Sequence, residues 1–491
     1  MHKSWGACLL CTVAIGALLS GCTGQDTSAE ERPTTLKLLH VDGGPGLDPA
    51  VEWFTQRVND LSEGDIKIDV AYSCCGEGND IEEQLVNRVA DGRGDLGWVG
   101  TRVFDELGVT GLRALTAPML IDSYPLEQAV IGSDLVKPGL RELEPLGVRG
   151  LALVPGALRK PLSSAEPVLA PADWAGKKVV AFHSRLNADS LKALGATPLD
   201  LGFEARDQGL FDGSIQATEN TLAFQNGNRE QILPYAAVNV SLWPRISALI
   251  ANPDRLASLG KSRVDVLRRA AADTAARTGD LADTDTGMIE ANCKAGARFA
   301  EASPAQLAEL TAAFAPVYQE LGKDPVTKNM LDGISSLKET VQPGPALAIP
   351  SGCRGPAPTK TDNANPTAGD TSVLNGSFRR GPRSVAQLIG AGMSAQGAEN
   401  AAGTFTFVFE NGRFELIADW YKGGRFGCTG SYTIDGDRVT VDYLPGGDCG
   451  PGGEYFNATF ERRGKVLQLT DVDAPSQDDR ILIGGTWDLI G

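Results

Sequence analysis

Histidine is almost missing from this chain: His2, His40 and His183 are the only three in 491 residues. That scarcity argues against histidine-rich metal sites and against a Ser-His-Asp hydrolase. Beyond the apolar run near the start, which holds Cys8 and Cys11, no CxxC pair stands in for the histidines, so no metal is expected. Net positive charge is missing too, because 45 basic against 62 acidic residues give −17. Such a surface repels phosphate backbones, and nucleic acid is not an expected partner. There is no P-loop, and Gly427-Cys428-Thr429-Gly430 is a turn flank rather than a nucleophile elbow. No spacing of carboxylates nominates a general acid and its base. The chain is therefore read as a non-enzyme with no cofactor. After the first residues no run of 18 apolar residues occurs, so no later segment reads as a membrane-spanning helix. What is present suffices for packed cores: 42% hydrophobic and 22% charged residues, which excludes wholesale disorder. The 58 glycines and 28 prolines announce many turns. The length allows about three folding units.

The first residues read as an address. Lys3 precedes an apolar run from Ala7 to Leu19, which is too short to cross a bilayer and right for a signal-peptide core. It ends in Leu19-Ser20-Gly21-Cys22, which resembles the lipobox of bacterial lipoproteins, followed by a polar tether. The resemblance implies cleavage after residue 21 and a diacylglyceryl group on Cys22. Residues 1–21 hold one lysine and no acid, so the charge of −17 becomes −18 on cleavage. The expected location is the extracytoplasmic face of the cell membrane, held by lipid.

Six cysteines then remain: Cys74, Cys75, Cys293, Cys353, Cys428 and Cys449. An even count in an oxidising compartment suggests three disulfides. Cys428 and Cys449 share one C-terminal unit and are expected to pair. Cys74 and Cys75 are adjacent, and the intervening peptide disfavours a bond between them. They are expected to pair with Cys293 and Cys353, in either order.

From residue 36 to 350 the pattern alternates between strand and helix. Leu36–Val41, Ile66–Val70, Leu96–Val99, Val148–Val154 and Lys178–Phe182 read as strands. Asp48–Leu61 and Ile81–Ala90 read as amphipathic helices, and Pro253–Ala276 and Pro304–Leu321 as long ones with proline near the start. Leu158-Arg159 falls in a stretch read as helical. Strands separated by such helices imply a parallel sheet with crossovers. Residues 351–372 are rich in Pro, Thr, Asn and Gly without periodicity and read as a linker. Residues 373–491 change to short alternating runs such as Phe405–Phe409, Arg413–Ile417 and Arg438–Tyr443. Asn411-Gly412, Asp435-Gly436 and Arg463-Gly464 separate them, so antiparallel hairpins in a small all-β barrel or sandwich are expected. This unit resembles small calycin-like or lipocalin-like barrels, with Leu374–Arg379 at its start and Gly485-Thr486-Trp487 at its end. A filled barrel serving as a spacer or docking module is preferred over a carrier of one apolar ligand.

A succession of motifs covers about 280 residues of the alternating region. Leu61-Ser62-Glu63-Gly64-Asp65-Ile66 turns into the second strand, and Gly94-Asp95-Leu96 opens the third. Pro118 stands in an apolar segment, and Ala172-Asp173-Trp174-Ala175-Gly176-Lys177-Lys178 leads into another strand. Ala193-Leu194-Gly195-Ala196-Thr197-Pro198 and Glu219-Asn220 follow. This order is similar to that of the solute-binding proteins of TRAP (tripartite ATP-independent periplasmic) transporters of the dicarboxylate type. The resemblance implies a two-lobed α/β clamp that closes on a small organic solute, a carboxylic acid among the candidates, and delivers it to membrane permease subunits. The alternative is an envelope interaction lipoprotein, or one that binds a lipid or other apolar ligand, without a transport role.

In that family two arginines usually hold the ligand carboxylate, since a guanidinium fits a carboxylate in a two-pronged, charge-assisted contact. Arg159 stands at the first position, and Val180 stands where the second is expected. Three readings compete. The ligand is less anionic than usual or not a carboxylate; Arg185 or the helix start near Ser184 supplies the missing donor; or the domain has become a scaffold. Common dicarboxylates are expected to bind weakly or not at all. The candidate ligand contacts are Arg159, Asn220, Glu219, His183, Trp243 as an aromatic lid, and His40 beside the Gly43–Gly46 loop, at the carboxyl end of the first strand.

Overall fold

The structure is a computed structural model, and it describes residues 33–42, 47–76, 78–202, 205–206, 209–210, 213–225, 232–356, 370–420, 425–443 and 453–490. The signal peptide, Cys22, the tether up to residue 32, the Gly43–Gly46 loop, Cys449 and most of the linker lie outside these residues.

The α/β part contains β1 (Thr34–His40), β2 (Ile66–Ala71), β3 (Leu96–Gly100), β4 (Arg149–Val154), β5 (Leu158–Ser163), β6 (Lys178–Val180), β7 (Thr197–Leu199), β8 (Ala217–Asn220), β9 (Tyr235–Ala237), β10 (Trp243–Pro244), β11 (Ser247–Ala251) and β12 (Arg298–Ala300). They form two sheets, one per lobe. The first runs β2-β1-β3-β11-β4, and the second runs β12-β9-β5-β8-β6-β7 with β10 beside β5. The first sheet is not purely parallel. β1 runs parallel to β2 and β3, but β11 is antiparallel to both β3 and β4. The stretch at Leu158-Arg159 is strand rather than helix, and all six residues of β5 are buried.

The helix Pro49–Leu61 starts where Asp48 accepts from Ala50 N, and its periodic Val51, Phe54 and Val58 enter the core under Trp98. The stretch expected as one helix from Pro304 is two, Pro304–Ala313 and Ala315–Leu321. Pro316 lacks the N–H that would continue the ladder through the break at Phe314.

Two chain crossings joining the lobes lie side by side. β4 leaves the first sheet at Val154 and β5 enters the second at Leu158; β10 and β11 make the return. Trp243 pairs with Arg159, Ser247 pairs with Val154, and Arg245 N donates to Ala157 O between them. Gly156 sits at the closest approach, where a Cβ would lie 1.9 Å from Arg245 O.

The cysteine pairing differs from expectation. Cys74 bonds Cys75, and Cys293 bonds Cys353 with 5.5 Å between their Cα atoms. The reason is topological. Cys74 and Cys75 follow β2 in the first lobe, with Cys75 in its core, whereas Cys293 and Cys353 share an apolar cluster with Ile289 and Phe299 of the second. Each pair finds its partner within its own lobe. Cys428 is disulfide-bonded.

The C-terminal unit is a closed eight-stranded antiparallel barrel, β13 (Gly376–Arg383), β14 (Gly403–Glu410), β15 (Arg413–Trp420), β16 (Arg425–Asp435), β17 (Arg438–Tyr443), β18 (Gly453–Arg463), β19 (Val466–Asp473) and β20 (Gly485–Leu489). Asn411 and Gly412 both take positive φ, as the tight β14–β15 turn requires. The interior is filled by rings in mutual contact: Phe407 stacks on Trp487 at 3.9 Å, and Phe409 meets Tyr432 edge-on at 5.0 Å.

Candidate binding cleft

A cleft of about 90 Å³ opens between the lobes. Its polar lining comes from three places. Asp42, Glu82 and Arg102 belong to the first lobe, Arg159, Arg206, Asn220 and Thr221 to the second, and Arg245 to the crossing. Several sit just past the carboxyl ends of strands: Asp42 after β1, Arg102 after β3, and Asn220 closing β8. That is the usual place for ligands in open α/β sheets.

Three of the arginines each meet a carboxylate. Arg102 Nε lies 2.7 Å from Glu82 Oε2, and Arg245 Nη2 lies 2.6 Å from Asp42 Oδ2. Arg159 pairs with Glu219 and also donates from Nη2 to Glu219 O at 2.9 Å. Burial lowers the Arg159 pKa and raises that of Glu219, and their mutual attraction works against both shifts. Burial opposes ionisation at Arg245 and Asp42 as well. There the pair wins: Asp42 holds Arg245 above its ordinary value, and Arg245 with His40 holds Asp42 below its own.

Phe182 projects into the cleft with guanidiniums over its ring, Arg159 at 4.7 Å, Arg102 at 4.9 Å and Arg206 at 5.7 Å. Phe182 and His183 both have φ +46°, which ends β6 at Val180 rather than Phe182. Left-handed backbone at two consecutive side-chain-bearing residues is costly, and such strain concentrates at functional sites.

The predicted contacts separate into two groups. Arg159 and Asn220 line the cleft. Glu219 stands behind Arg159, fully buried, and Trp243 is no lid: its Nε1 donates to Glu219 Oε2 at 3.1 Å from inside the fold. His40 is buried, accepts at Nδ1 from Asp42 N, and has Nε2 3.8 Å from Asp48 Oδ2. His40, Asp42 and Asp48 bring their donor atoms within 4.8 Å of one another, which nominates a possible metal cluster. Asp42 is engaged by Arg245, and Asp48 by Ala50 N and Trp98 Nε1, so the trio works as a structural polar network.

His183 lies at the cleft's edge and joins the lobes. Its Nδ1 is 2.7 Å from Asp200 Oδ2 in its own lobe, and its Nε2 is 3.1 Å from Glu83 Oε1 across the gap. Asn79 of the first lobe also donates to Asp200. Arg185 N reaches Glu106 Oε1 at 2.6 Å, again across the lobes. Burial pulls the His183 pKa down, but Asp200, then Glu83 and Glu106, outweigh it and raise it above 6.5. A raised pKa means the bridge is complete below 6.5 and weakens as pH rises through the raised value. Solute affinity is therefore expected to fall across that window, and His183→Gln to flatten the fall. Calorimetric titration from pH 5.5 to 9 checks this; an equally steep fall in the variant counts against the bridge.

Arg102, Arg206, Arg245 and Phe182 were absent from the expected contacts. The strand-end rule points at Arg102 once β3 is placed. Arg206 and Arg245 lie in no motif, and only the folded crossing brings Arg245 to Asp42.

The family described as DctP, bacterial extracellular solute-binding protein, family 7, matches residues 47–324. The chain belongs to that family. Family members of this kind bind solutes and are not enzymes. A C4-dicarboxylate-binding periplasmic protein DctP from Rhodobacter capsulatus is 30% identical over 117 residues, 24% of this chain and 35% of the relative. The matched stretch thus spans about a third of that relative's length. A TRAP periplasmic solute-binding protein from Roseobacter denitrificans, solved with β-D-glucuronate, aligns at TM-score 0.54 and 20% identity over 62% of this chain and 99% of its own. A sugar acid binding protein from Advenella mimigardefordensis, solved with galactonate, aligns at 0.56 and 20% identity over 63% and 99%. These likenesses place the two lobes in the TRAP solute-binding fold.

Proposed function

We propose that this protein captures a small organic acid in the interlobe cleft and hands it to the membrane subunits of a TRAP-type permease. The observation behind this reading is the set of four guanidiniums lining the cleft between lobes of a solute-binding fold. Charge-assisted bonds from preplaced arginines are what a carboxylate needs on leaving water. The acids bound by the glucuronate and galactonate relatives are the natural first candidates.

The lipobox-like Leu19–Cys22 supports a lipid anchor at Cys22 on the extracytoplasmic face. No helix among the described residues is long and apolar enough to cross a membrane. We divide the chain into a signal peptide (1–21), a tether (22–35), a clamp (36–350), a linker (351–372) and a lipocalin-like barrel (373–491). The packed aromatic interior of the barrel favours a spacer or docking role over a lipid carrier. Retention of the solute-binding fold and its cationic cleft favours solute capture over a scaffold role.

A thermal-shift screen of the whole chain against acids, sugars and amino acids tests capture. A sugar acid in excess is expected to raise the melting temperature, since a ligand stabilises only the state it binds. A flat response across all acids would sink the reading.

A further inference from the structure

The turn after β2 carries a covalent link that solute capture has not yet used. Cys74 is bonded to its neighbour Cys75, whereas the second-lobe disulfide joins residues 60 apart in sequence. A bond across 60 residues restrains the whole unfolded chain, but a bond between neighbours closes almost no loop. What the Cys74–Cys75 bond does is therefore local: it restricts the backbone of its own turn.

That turn is built into the cleft wall of the first lobe. Ser73 N donates to Asp42 O at 2.9 Å and Cys74 N to His40 O at 3.2 Å, so the bonded pair is fastened to the end of β1. Arg88 donates to Cys74 O, and Cys75 is 6% exposed in the lobe's core. Asp42 is the carboxylate that holds Arg245 at the cleft. A few residues further on, Asn79 reaches Asp200 of the second lobe, and the helix Ile81–Ala90 begins. Its first turn supplies Ile81 and Glu82 to the cleft lining and Glu83 to His183 across the gap. The pair thus sits between the two backbone segments, strand end and helix start, that this lobe presents to a solute. Ser73 and Gly76 on either side are exposed and Cys74 is half-buried, which gives a small dithiol an approach to the bond.

We propose that the Cys74–Cys75 disulfide is a redox-sensitive brace of the cleft wall, whose reduction weakens solute binding without unfolding the lobe. The affinity half of the proposal rests on solute capture in this cleft. In the reaction one thiolate of a dithiol attacks the Cys74 sulfur and displaces the Cys75 thiolate. The dithiol's second thiol then displaces Cys74 and leaves as a cyclic disulfide, so two electrons and two protons end on the cysteines. The freed turn samples more backbone conformations, and ordering the wall again on binding costs affinity.

Dithiothreitol and galactonate serve as reductant and probe. In calorimetric titration of the whole chain at pH 7.5, reduction is expected to weaken galactonate binding about 10-fold, and reoxidation to restore it. Hydrogen exchange is expected to rise several-fold at residues 72–76 and 78–83, while β11 and the barrel strand β14 keep theirs. Cys74→Ala with Cys75→Ala is expected to bind as weakly as the reduced wild type and to ignore dithiothreitol, which separates this bond from the others. Alkylation of Cys74 or Cys75 in untreated protein would overturn the proposal, as would a bond that survives millimolar dithiothreitol. Unchanged affinity and exchange after complete reduction would overturn it too, and a rise in exchange throughout the first lobe would mark the bond as a general stabiliser instead. Should the double variant not fold, the wild-type redox cycle decides. If the oxidised chain binds no acid at all, solute capture fails and takes the affinity half with it, and the exchange measurement still decides the brace.

Discussion

Replacing Arg159 with alanine is expected to destabilise the clamp by about 3–5 kcal/mol and to abolish solute binding. Arg159 is 4% exposed and Glu219 0%, so the variant leaves a carboxylate without its cation in the dry interior of the second lobe. Trp243 Nε1 still donates to Glu219, but one neutral donor does not replace a guanidinium that met both the carboxylate and the backbone. A loss of that size is a large share of the usual 5–15 kcal/mol of a domain's stability. Glu219→Ala exposes the opposite charge and is expected to cost a similar amount. Joining Arg159→Leu to Glu219→Leu removes both charges and is expected to recover much of the stability, because an apolar pair avoids the desolvation cost. Binding stays lost in the double variant, since the cleft has given up a lining guanidinium. Thermal denaturation read beside calorimetry checks both halves. Single variants that melt with the wild type would mean the pair is more hydrated than its burial indicates.

The second large effect is expected at Gly156. A Cβ there meets Arg245 O at 1.9 Å and Arg245 C at 2.7 Å, and both are backbone atoms that no rotamer change moves aside. Gly156→Ala must push the two crossing strands apart. That strains the Arg245 N to Ala157 O bond and the bond from Gly156 N to Glu127, a carboxyl that burial pushes up to about 8. We expect a loss of about 3 kcal/mol or more, with weaker solute binding because Arg245 leaves Asp42. Gly287→Ala is the control. It lies inside the helix Asp280–Lys294 with nothing within 4 Å of its Cβ, so about 0.5–1 kcal/mol of stabilisation is expected. Equal melting temperatures for the two variants would show that the crossing tolerates separation.

Periodicity made the lobes legible. The helical spacing of Val51, Phe54 and Val58 and the alternation of Ile66, Ile68 and Val70 are local signals, and the folded chain uses them as they stand. The barrel was legible from its turns, since Asn411-Gly412 admits the positive φ that a tight hairpin demands. Both sheets hold antiparallel strands that alternation did not announce. β11 is one, and it enters the first sheet only after the chain has built most of the second lobe.

At the site, sequence reasoning found the residues carried by motifs and missed those carried by topology. Arg159 and Asn220 lie in family-like segments and reach the cleft. His183 stood among the candidate ligand contacts, with a hydrogen-bonded place at the cleft's edge or surface the preferred reading, and two consecutive left-handed residues turn it toward Glu83 of the other lobe. Arg245 acquires its meaning only at the crossing. Cys74 and Cys75 were assigned to partners that lie in the other lobe, a separation that no cysteine spacing reveals. Val180, where the family resemblance leads one to expect a second arginine, is fully buried in an apolar cluster and brings no guanidinium to the cleft.

The central claim is that an organic acid sits between the lobes with its carboxylate on these arginines. A crystal structure of the chain grown with galactonate tests it most directly. The account predicts ligand density in the interlobe cleft, with the carboxylate within hydrogen-bonding distance of one or more of Arg102, Arg159, Arg206 and Arg245. An empty cleft at millimolar galactonate, or galactonate bound only within the C-terminal barrel, would contradict it.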